Sequence, residues 1–229
     1  MRLKTFHALW LLGTFGIAHA ASFDCAKAAT ATEKAICANP RISDLDEYLG
    51  RYYQGGRVSM GRGAAACLAS NQREWLRSVR NACKDDACLE RVYLSRLAEL
   101  DPMQAGAVAV KNLELPNVKS LVWIVGPAAD TVAAPRNVRR EPLVLTGKLV
   151  DDVATGDGFV LQDAAGVKHL LLALMFIDKA DGTMLEAIAR DTHGKFEVRG
   201  EREIKGGGAN FAPSACTFLY RLPEARATN

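Results

Sequence analysis

Long hydrophobic runs are scarce in this chain of 229 residues. Beyond residue 20, no stretch approaches the roughly 18–20 consecutive apolar residues that a membrane-spanning helix needs. An excess of one charge is also lacking, because 29 basic and 26 acidic side chains leave a formal net charge of +3. Such an even balance does not support long-range attraction to nucleic acid or to an anionic membrane. We therefore predict neither a nucleic-acid-binding protein nor a membrane anchor.

Catalytic and metal-binding motifs are missing as well. The chain contains no H-E-x-x-H, G-x-S-x-G, S-x-x-K or phosphate-binding loop. No C-x-x-C pair occurs, and beyond residue 20 the only histidines are His169 and His193. Their positions, in an apolar strand and at a helix end, favour structural roles. We predict a protein that is not an enzyme and that holds no metal and no cofactor.

Residues 1–20 have the pattern of an export signal. Arg2 and Lys4 form a basic start, residues 8–17 are an apolar run, and Ala18-His19-Ala20 is a small-x-small cleavage site. We predict a signal peptide that is cleaved after Ala20 and a mature protein that is periplasmic or secreted. The six cysteines of the chain suit such an oxidising compartment.

The mature chain changes character near residue 101. Periodic apolar residues predict four short helices before that point, of which the first has capping-box spacing at Thr30 and Glu33. This helix should end at residues 39–40, and the others should occupy about 42–53, 64–79 and 86–100, with a glycine-rich loop after the second. Residues 101–142 suit a linker, apart from a candidate strand at residues 121–125.

From residue 143 the pattern predicts strands at 143–150, 158–162, 167–176, 195–203 and 216–222, with a helix at about 183–192. Three strands, a helix and two strands follow the order of an OB-type barrel. The predicted fold class is therefore α+β, with a small disulfide-bonded helical domain at residues 21–100, a linker at 101–142, a small β-rich, OB-like barrel domain at 143–222 and a tail at 223–229.

Four cysteines bracket short helical segments. Cys25 and Cys37 flank the first helix, and the residues before it allow the chain to fold back and join the two sulfurs. Cys83 and Cys88 would lie about 7.5 Å apart along one continuous helix, which is beyond the reach of a disulfide. If they pair, the chain must turn between them, and the nearby asparagine and aspartates favour such a corner.

Cys67 and Cys216 remain after these assignments. They either join the two predicted domains or stay free, and six cysteines allow 15 connectivities that spacing alone does not rank.

The first domain carries a set of motifs that resembles a known family. The matching segments are Phe23-Asp24-Cys25-Ala26-Lys27-Ala28, Thr32-Glu33-Lys34-Ala35-Ile36-Cys37, Leu45-Asp46 with Leu49, Gln72-Arg73-Glu74-Trp75-Leu76, Arg80-Asn81-Ala82-Cys83, Cys88-Leu89, Tyr93 and Arg96-Leu97. Over about residues 22–100 the chain resembles the LprI-type lysozyme-inhibitor N-terminal domain. The resemblance implies an exported helical domain, some of whose relatives inhibit lysozymes. It implies lysozyme as a partner and transfers no inhibitory residue. The alternative partners are another envelope protein or a glycan.

Charge indicates where such a partner would bind. Many lysozymes are strongly basic, whereas residues 21–100 carry 12 basic and 10 acidic side chains. Inhibition would therefore need a local acidic patch. Two clusters qualify, although each also suits an ordinary solvated helix face. They are Asp44, Asp46 and Glu47, and Asp85, Asp86 and Glu90.

The second domain supplies an alternative function, which is ligand binding in the envelope. In an OB-type barrel, the loops that follow the first and fourth strands flank the binding face. The first of these loops contains Asp151, Asp152 and Asp157, which suit a cation or a basic ligand and equally suit ordinary turns. The second contains Gly206, Gly207 and Gly208, where a ligand can approach the backbone. Neighbouring candidates for the same face are Lys168, His169 and Phe211.

Overall fold

The computed structural model of the protein describes residues 21–103, 113–127, 139–152, 158–173, 179–204, 211–212 and 214–224. The predicted signal peptide lies outside these residues, as do most of the predicted tail and parts of the predicted linker. The helices are α1 (Ala31–Ala38), α2 (Pro40–Val58), α3 (Arg62–Ser78), α4 (Asp86–Leu100) and α5 (Lys179–Ala189). The strands are β1 (Ser120–Val125), β2 (Arg140–Asp152), β3 (Gly158–Gln162), β4 (Lys168–Ala173), β5 (Phe196–Glu203) and β6 (Thr217–Arg221). This arrangement confirms the α+β fold class.

Helix starts follow the local signals of the sequence. At α1 the hydroxyl of Thr30 accepts from the backbone N–H of Glu33 at 3.1 Å, and the Glu33 carboxylate accepts from the backbone N–H of Thr30 at 2.9 Å. The backbone N–H groups of Thr30 and Ala29, which both donate to the Glu33 carboxylate, lower the pKa of Glu33. Pro40 opens α2, where its missing N–H costs nothing, and the side chain of Asn39 caps it. The capping box predicted from the sequence is therefore confirmed.

The glycine-rich loop predicted after Tyr53 is wrong in extent. Helix α2 continues to Val58 through Gly55 and Gly56, and only residues 59–61 separate it from α3. The reason is tertiary packing, since a Cβ at the buried Gly56 would already lie 3.5 Å from Leu68. Close packing of α2 against its neighbours overrides the low helix propensity of glycine.

Two short disulfides cross-link the helical part. Cys25 is bonded to Cys37 across α1, and Cys83 is bonded to Cys88 across the corner that precedes α4. A 3-10 turn at Arg80–Ala82 ends at Cys83, whose backbone is extended, and Asp85 caps α4 by accepting from the backbone N–H of Cys88 at 2.7 Å. No continuous helix therefore joins Cys83 to Cys88, as pairing requires.

The strands form one antiparallel sheet in the order β1-β6-β5-β2-β3-β4. Strand β2 is long enough to pair with β5 along its first eight residues and with β3 along its last five. The candidate strand at residues 121–125 is confirmed as β1, which pairs with β6 at the sheet edge. A closed barrel needs its edge strands to pair, and among the described residues β1 and β4 stay at opposite edges. The OB-type barrel therefore remains a prediction.

The helical core continues into the sheet. Leu121, Ile124 and Tyr220 belong to the same buried cluster as the apolar residues of α1–α4. The opposite face of the sheet packs with α5 in a second cluster around Trp123 and Phe196. One apolar core is thus shared by the helical part and the sheet. The domain boundaries predicted at residues 100 and 143 therefore remain a proposal.

A third disulfide joins the helices to the sheet. It links Cys67 of α3 to Cys216, which immediately precedes β6. Beside it, the backbones at Gly63 and Gly126 approach so closely that a Cβ at Gly126 would stand 2.3 Å from the Gly63 carbonyl oxygen. Of the two alternatives left open for Cys67 and Cys216, the structure therefore shows the disulfide.

No helix in the described part of the chain is long and apolar enough to cross a bilayer.

Candidate binding site

A buried carboxylate organises the centre of the helical part. Asp46 on α2 is 4 % exposed and accepts from the Tyr93 hydroxyl at 2.6 Å. Its second oxygen accepts from the backbone N–H of Ser22 at 2.8 Å and from the Ser22 hydroxyl at 2.6 Å. Burial raises the pKa of Tyr93, and the neighbouring charge of Asp46 raises it further. The carboxylate therefore ties α2 to α4 and to the first residues of the described chain.

A buried guanidinium forms a second polar centre, where α4 meets α3. Arg96 on α4 is 2 % exposed, and its Nε and Nη2 donate to Gln72 Oε1 at 3.1 and 2.9 Å. Further bonds run from Nη2 to Asn71 at 2.7 Å and from Nη1 to Glu99 at 2.8 Å. Burying a charge is costly unless it is paired and hydrogen-bonded, and here both conditions are met.

The residues that carry the family resemblance mostly build this interior. Trp75 lies edge-on to Tyr93 with ring centroids 5.5 Å apart, and the Arg96 guanidinium lies 5.9 Å from the Trp75 ring. Trp75 and Tyr93 are buried and Leu76 packs against the same core, which confirms the core role expected for them. The shared motif therefore describes a scaffold.

A cleft of about 510 Å³ opens above the two polar centres, and we call it the helical cleft. Its lining comprises Ser22, Asp46, Glu47, Leu49, Gly50, Arg51, Tyr53, Gln54, Gln72, Leu76 and Arg80. Glu47 pairs with Arg51 at 2.9 Å on the rim, and Arg80 Nη1 lies 4.0 Å from Asp46 Oδ1 at the floor. The lining thus holds two carboxylates and two guanidiniums, whose formal charges cancel.

The first acidic cluster proposed from the sequence does not form an exposed patch. Asp46 is buried in the interior, and Glu47 is paired with Arg51. Including Asp46 in a surface cluster was wrong, because its position on α2 faces the core.

The second acidic cluster remains at the surface. Asp85 and Asp86 are exposed, and the Glu90 side chain is 43 % exposed. Asp85 is the N-cap of α4, and the other two residues lie in its first two turns. Asp86 accepts from the side chain of Asn39 at 2.8 Å, and Glu90 accepts from Arg41 at 3.1 Å. We call these three residues the acidic end of α4.

A groove of about 460 Å³ begins beside the acidic end of α4. Glu90 belongs to both, and the groove is also lined by Ala87, Arg91, Leu94, Ser95, Glu114, Leu115 and Pro116. The lining thus combines apolar side chains with two carboxylates and the Arg91 guanidinium.

The structure brings two candidates of the β-rich part, Asp152 and Lys168, into contact. Asp151 and Asp152 are the last residues of β2, and Asp152 pairs with Lys168 at 2.7 Å. Asp157, Gly206, Gly207 and Gly208 lie outside the described residues. A ligand site formed by these loops therefore stays a proposal.

Two further candidates near those loops have structural contacts. Phe211 is 6 % exposed and belongs to the second apolar core, so placing it on a binding face was wrong. His169 is 8 % exposed, and its Nε2 lies 3.0 Å from Asp163. The hydrogen bond with His169 lowers the pKa of Asp163, as do bonds from backbone N–H groups of the β3–β4 turn.

Comparison with known proteins finds a similarity to a mycobacterial lipoprotein. Over 91 residues the chain is 31 % identical to "Lipoprotein LprI" of Mycobacterium bovis and of two strains of Mycobacterium tuberculosis. The match covers 37 % of this chain and 44 % of the relatives, so it spans less than half of either protein. No protein-family model matches the chain. No solved structure matches it.

Sequence reasoning missed several residues that shape the helical cleft. Ser22 had no recognised role, yet it donates twice to Asp46. Arg80 and Gln72 were noted only as parts of the family motif. Gln72 bonds Arg96, which is 24 residues away, and Arg80 contacts Asp46 as well as its neighbour Asn81. Local sequence patterns do not predict such distant pairs.

Proposed function

We propose that this chain is an exported, non-enzymatic binding protein of the cell envelope, and that its helical part binds and inhibits lysozyme. The observation that carries the proposal is the acidic end of α4, which keeps three carboxylates at the surface of a part that resembles lysozyme inhibitors. The similarity to LprI supports the choice of partner.

The acidic end of α4 has the make-up of an interaction surface for a basic protein. Asp85, Asp86 and Glu90 supply negative charge, and the adjoining groove supplies apolar area from Leu94 and Leu115. Protein interfaces commonly combine an apolar centre with a polar rim. The contacts of Asp86 with Asn39 and of Glu90 with Arg41 are surface pairs, which are worth little and can be exchanged for contacts with a partner.

Rigidity suits this role. The Cys83–Cys88 bond fixes the corner from which α4 starts, and Asp85 caps its first turn. A surface that is ordered before binding avoids part of the entropy cost of association.

A matched pair of double variants tests the proposal on the chain from residue 21 onward. In Asp86→Asn/Glu90→Gln the acidic end of α4 loses two charges. In Glu74→Gln/Glu186→Gln, two exposed ion-paired carboxylates elsewhere are neutralised. Association with a basic lysozyme is measured by surface plasmon resonance at low and at physiological salt.

We expect the first variant to associate about tenfold more slowly at low salt and to lose most of the salt dependence, because complementary charge mainly raises the association rate. The control variant should behave like the unmodified protein. Absence of lysozyme binding by the unmodified protein would overturn the proposal, and equal effects of the two variants would overturn the assigned surface.

A further inference from the structure

The helical cleft has the properties of a ligand site, and it is distinct from the acidic end of α4. We propose that it binds a short, uncharged glycan that carries N-acetyl groups. This inference does not depend on lysozyme binding, since it uses other residues and another ligand.

The floor of the cleft is fixed before any ligand arrives. Gln72 is 7 % exposed, and its Oε1 accepts two bonds from the buried Arg96. This contact orients the amide, so its NH₂ group is the part left to donate, and it has no hydrogen-bond partner within the described residues. Asp46 is held equally firmly by Tyr93 and Ser22. Side chains held in place by other hydrogen bonds lose little entropy when they bind a ligand.

Arg80 supplies unused donors next to this floor. Its side chain is only 11 % exposed, and its Nε donates to Asn81 at 3.0 Å. Its Nη1 is 4.0 Å from Asp46, which is longer than a hydrogen bond. The Arg80 side chain also interacts with the Tyr93 hydroxyl. A guanidinium presents five donors in a fixed fork, so these contacts leave further donors for a ligand carbonyl or hydroxyl.

The balance of charge selects an uncharged ligand. Asp46 and Glu47 offset Arg51 and Arg80, so neither an anion nor a cation gains from the cleft as a whole. The lining nevertheless contains both hydrogen-bond donors and acceptors, and Gln54 offers both. This pattern suits a ligand that has many neutral hydrogen-bonding groups, such as acetamides and hydroxyls.

The apolar part of the lining suits the C–H face of a sugar ring. Leu49 and Leu76 lie in the cleft with the ring of Tyr53, which is half-buried. Gly50 lets Ser22 pack closely against α2, since a Cβ at Gly50 would stand 3.0 Å from the Ser22 Cβ. The volume of about 510 Å³ falls within the range of about 300–1,000 Å³ that is typical of small-molecule sites. A short oligosaccharide fits these dimensions better than a folded partner does.

The test uses residues 21–229, free of lysozyme, and two defined trisaccharides. Tri-N-acetylchitotriose carries three acetamides, and cellotriose carries none. Binding is measured by isothermal titration calorimetry and by chemical-shift changes in NMR spectra. We expect tri-N-acetylchitotriose to bind at least about tenfold more tightly than cellotriose, because each acetamide offers a carbonyl to a charged or buried donor.

Two arginines three residues apart provide matched variants. Arg80→Gln replaces the charged five-donor guanidinium at the floor by a shorter, neutral amide, and Arg77→Gln changes an arginine that is 78 % exposed and outside the cleft. We expect Arg80→Gln to weaken binding at least about tenfold and Arg77→Gln to leave it unchanged. If Arg80→Gln does not fold, Tyr53→Ala on the cleft wall should give the same loss. The variant Asp86→Asn/Glu90→Gln should bind the trisaccharide normally.

The proposal fails if the folded, unmodified protein does not bind tri-N-acetylchitotriose at millimolar concentration. It also fails if cellotriose binds equally well, if the cleft variants bind like the unmodified protein, or if acetate or phosphate displaces the trisaccharide. This last outcome would identify an anion site. None of these results bears on lysozyme binding, which has its own variants.

Discussion

The Asp46 network makes a quantitative prediction for Tyr93→Phe. This change removes the hydroxyl that donates to Asp46 at 2.6 Å and keeps the ring that packs against Trp75. A hydrogen bond to a charged group contributes about 1.5–3 kcal/mol, and the bond here lies in the interior, where Asp46 is 4 % exposed. We expect the free energy of unfolding to fall by about 2 kcal/mol, measured by urea denaturation at pH 7.

Tyr53→Phe is the matched control. Tyr53 is half-buried beside the helical cleft, so losing its hydroxyl should change the free energy of unfolding by less than about 0.5 kcal/mol. A double-mutant cycle with Asp46→Asn should show coupling between Tyr93 and Asp46 of about 1–3 kcal/mol. Equal effects of Tyr93→Phe and Tyr53→Phe, or no coupling, would refute the claim that this carboxylate organises the helical part.

Two further predictions concern the long disulfide and alkaline pH. Removing the Cys67–Cys216 bond by double alanine substitution should lower the free energy of unfolding by about 5 kcal/mol in the chain-entropy model, and removing the Cys83–Cys88 bond should lower it by about 2 kcal/mol. The difference arises because the two bonds close loops with sequence separations of 149 and 5. Thermal unfolding in which loss of the Cys83–Cys88 bond is the more destabilising would contradict this. Burial raises the pKa values of two tyrosines, so in the unfolded chain these phenols ionise near pH 10 while in the fold they stay protonated. The contribution of these two tyrosines to the free energy of unfolding should therefore be constant below pH 10 and fall above it. An absorbance titration at pH 11 should show at least two of the five tyrosines un-ionised while the protein remains folded.

Local signals in the sequence predicted much of the architecture. The capping box at Thr30 and Glu33, the apolar periodicity of four helices and the alternation of five strands act over a few residues, and each corresponds to an element of the structure. The geometry of short loops likewise favoured the two local disulfides. Helix α2 shows the limit of such signals, since packing at the buried Gly56 extends it beyond its predicted end.

The candidate site depends on contacts that are distant in sequence. Asp46 meets Ser22 across 24 residues and Tyr93 across 47, and Cys67 meets Cys216 across 149. A sequence read segment by segment shows which side chains are polar, but it does not show which of them the fold brings together. Asp46 is an example, because its charge indicated a surface patch and its helical position buries it.

Complex formation between residues 21–229 and a basic lysozyme, in the absence of any glycan, tests the central proposal most directly. The absence of glycan matters because a cleft that binds sugars would slow peptidoglycan hydrolysis without contacting the enzyme. We predict a stoichiometric complex in size-exclusion chromatography and light scattering, weakened by Asp86→Asn/Glu90→Gln, together with inhibition of muramidase activity. Two separate peaks and unchanged hydrolysis at large molar excess would contradict it.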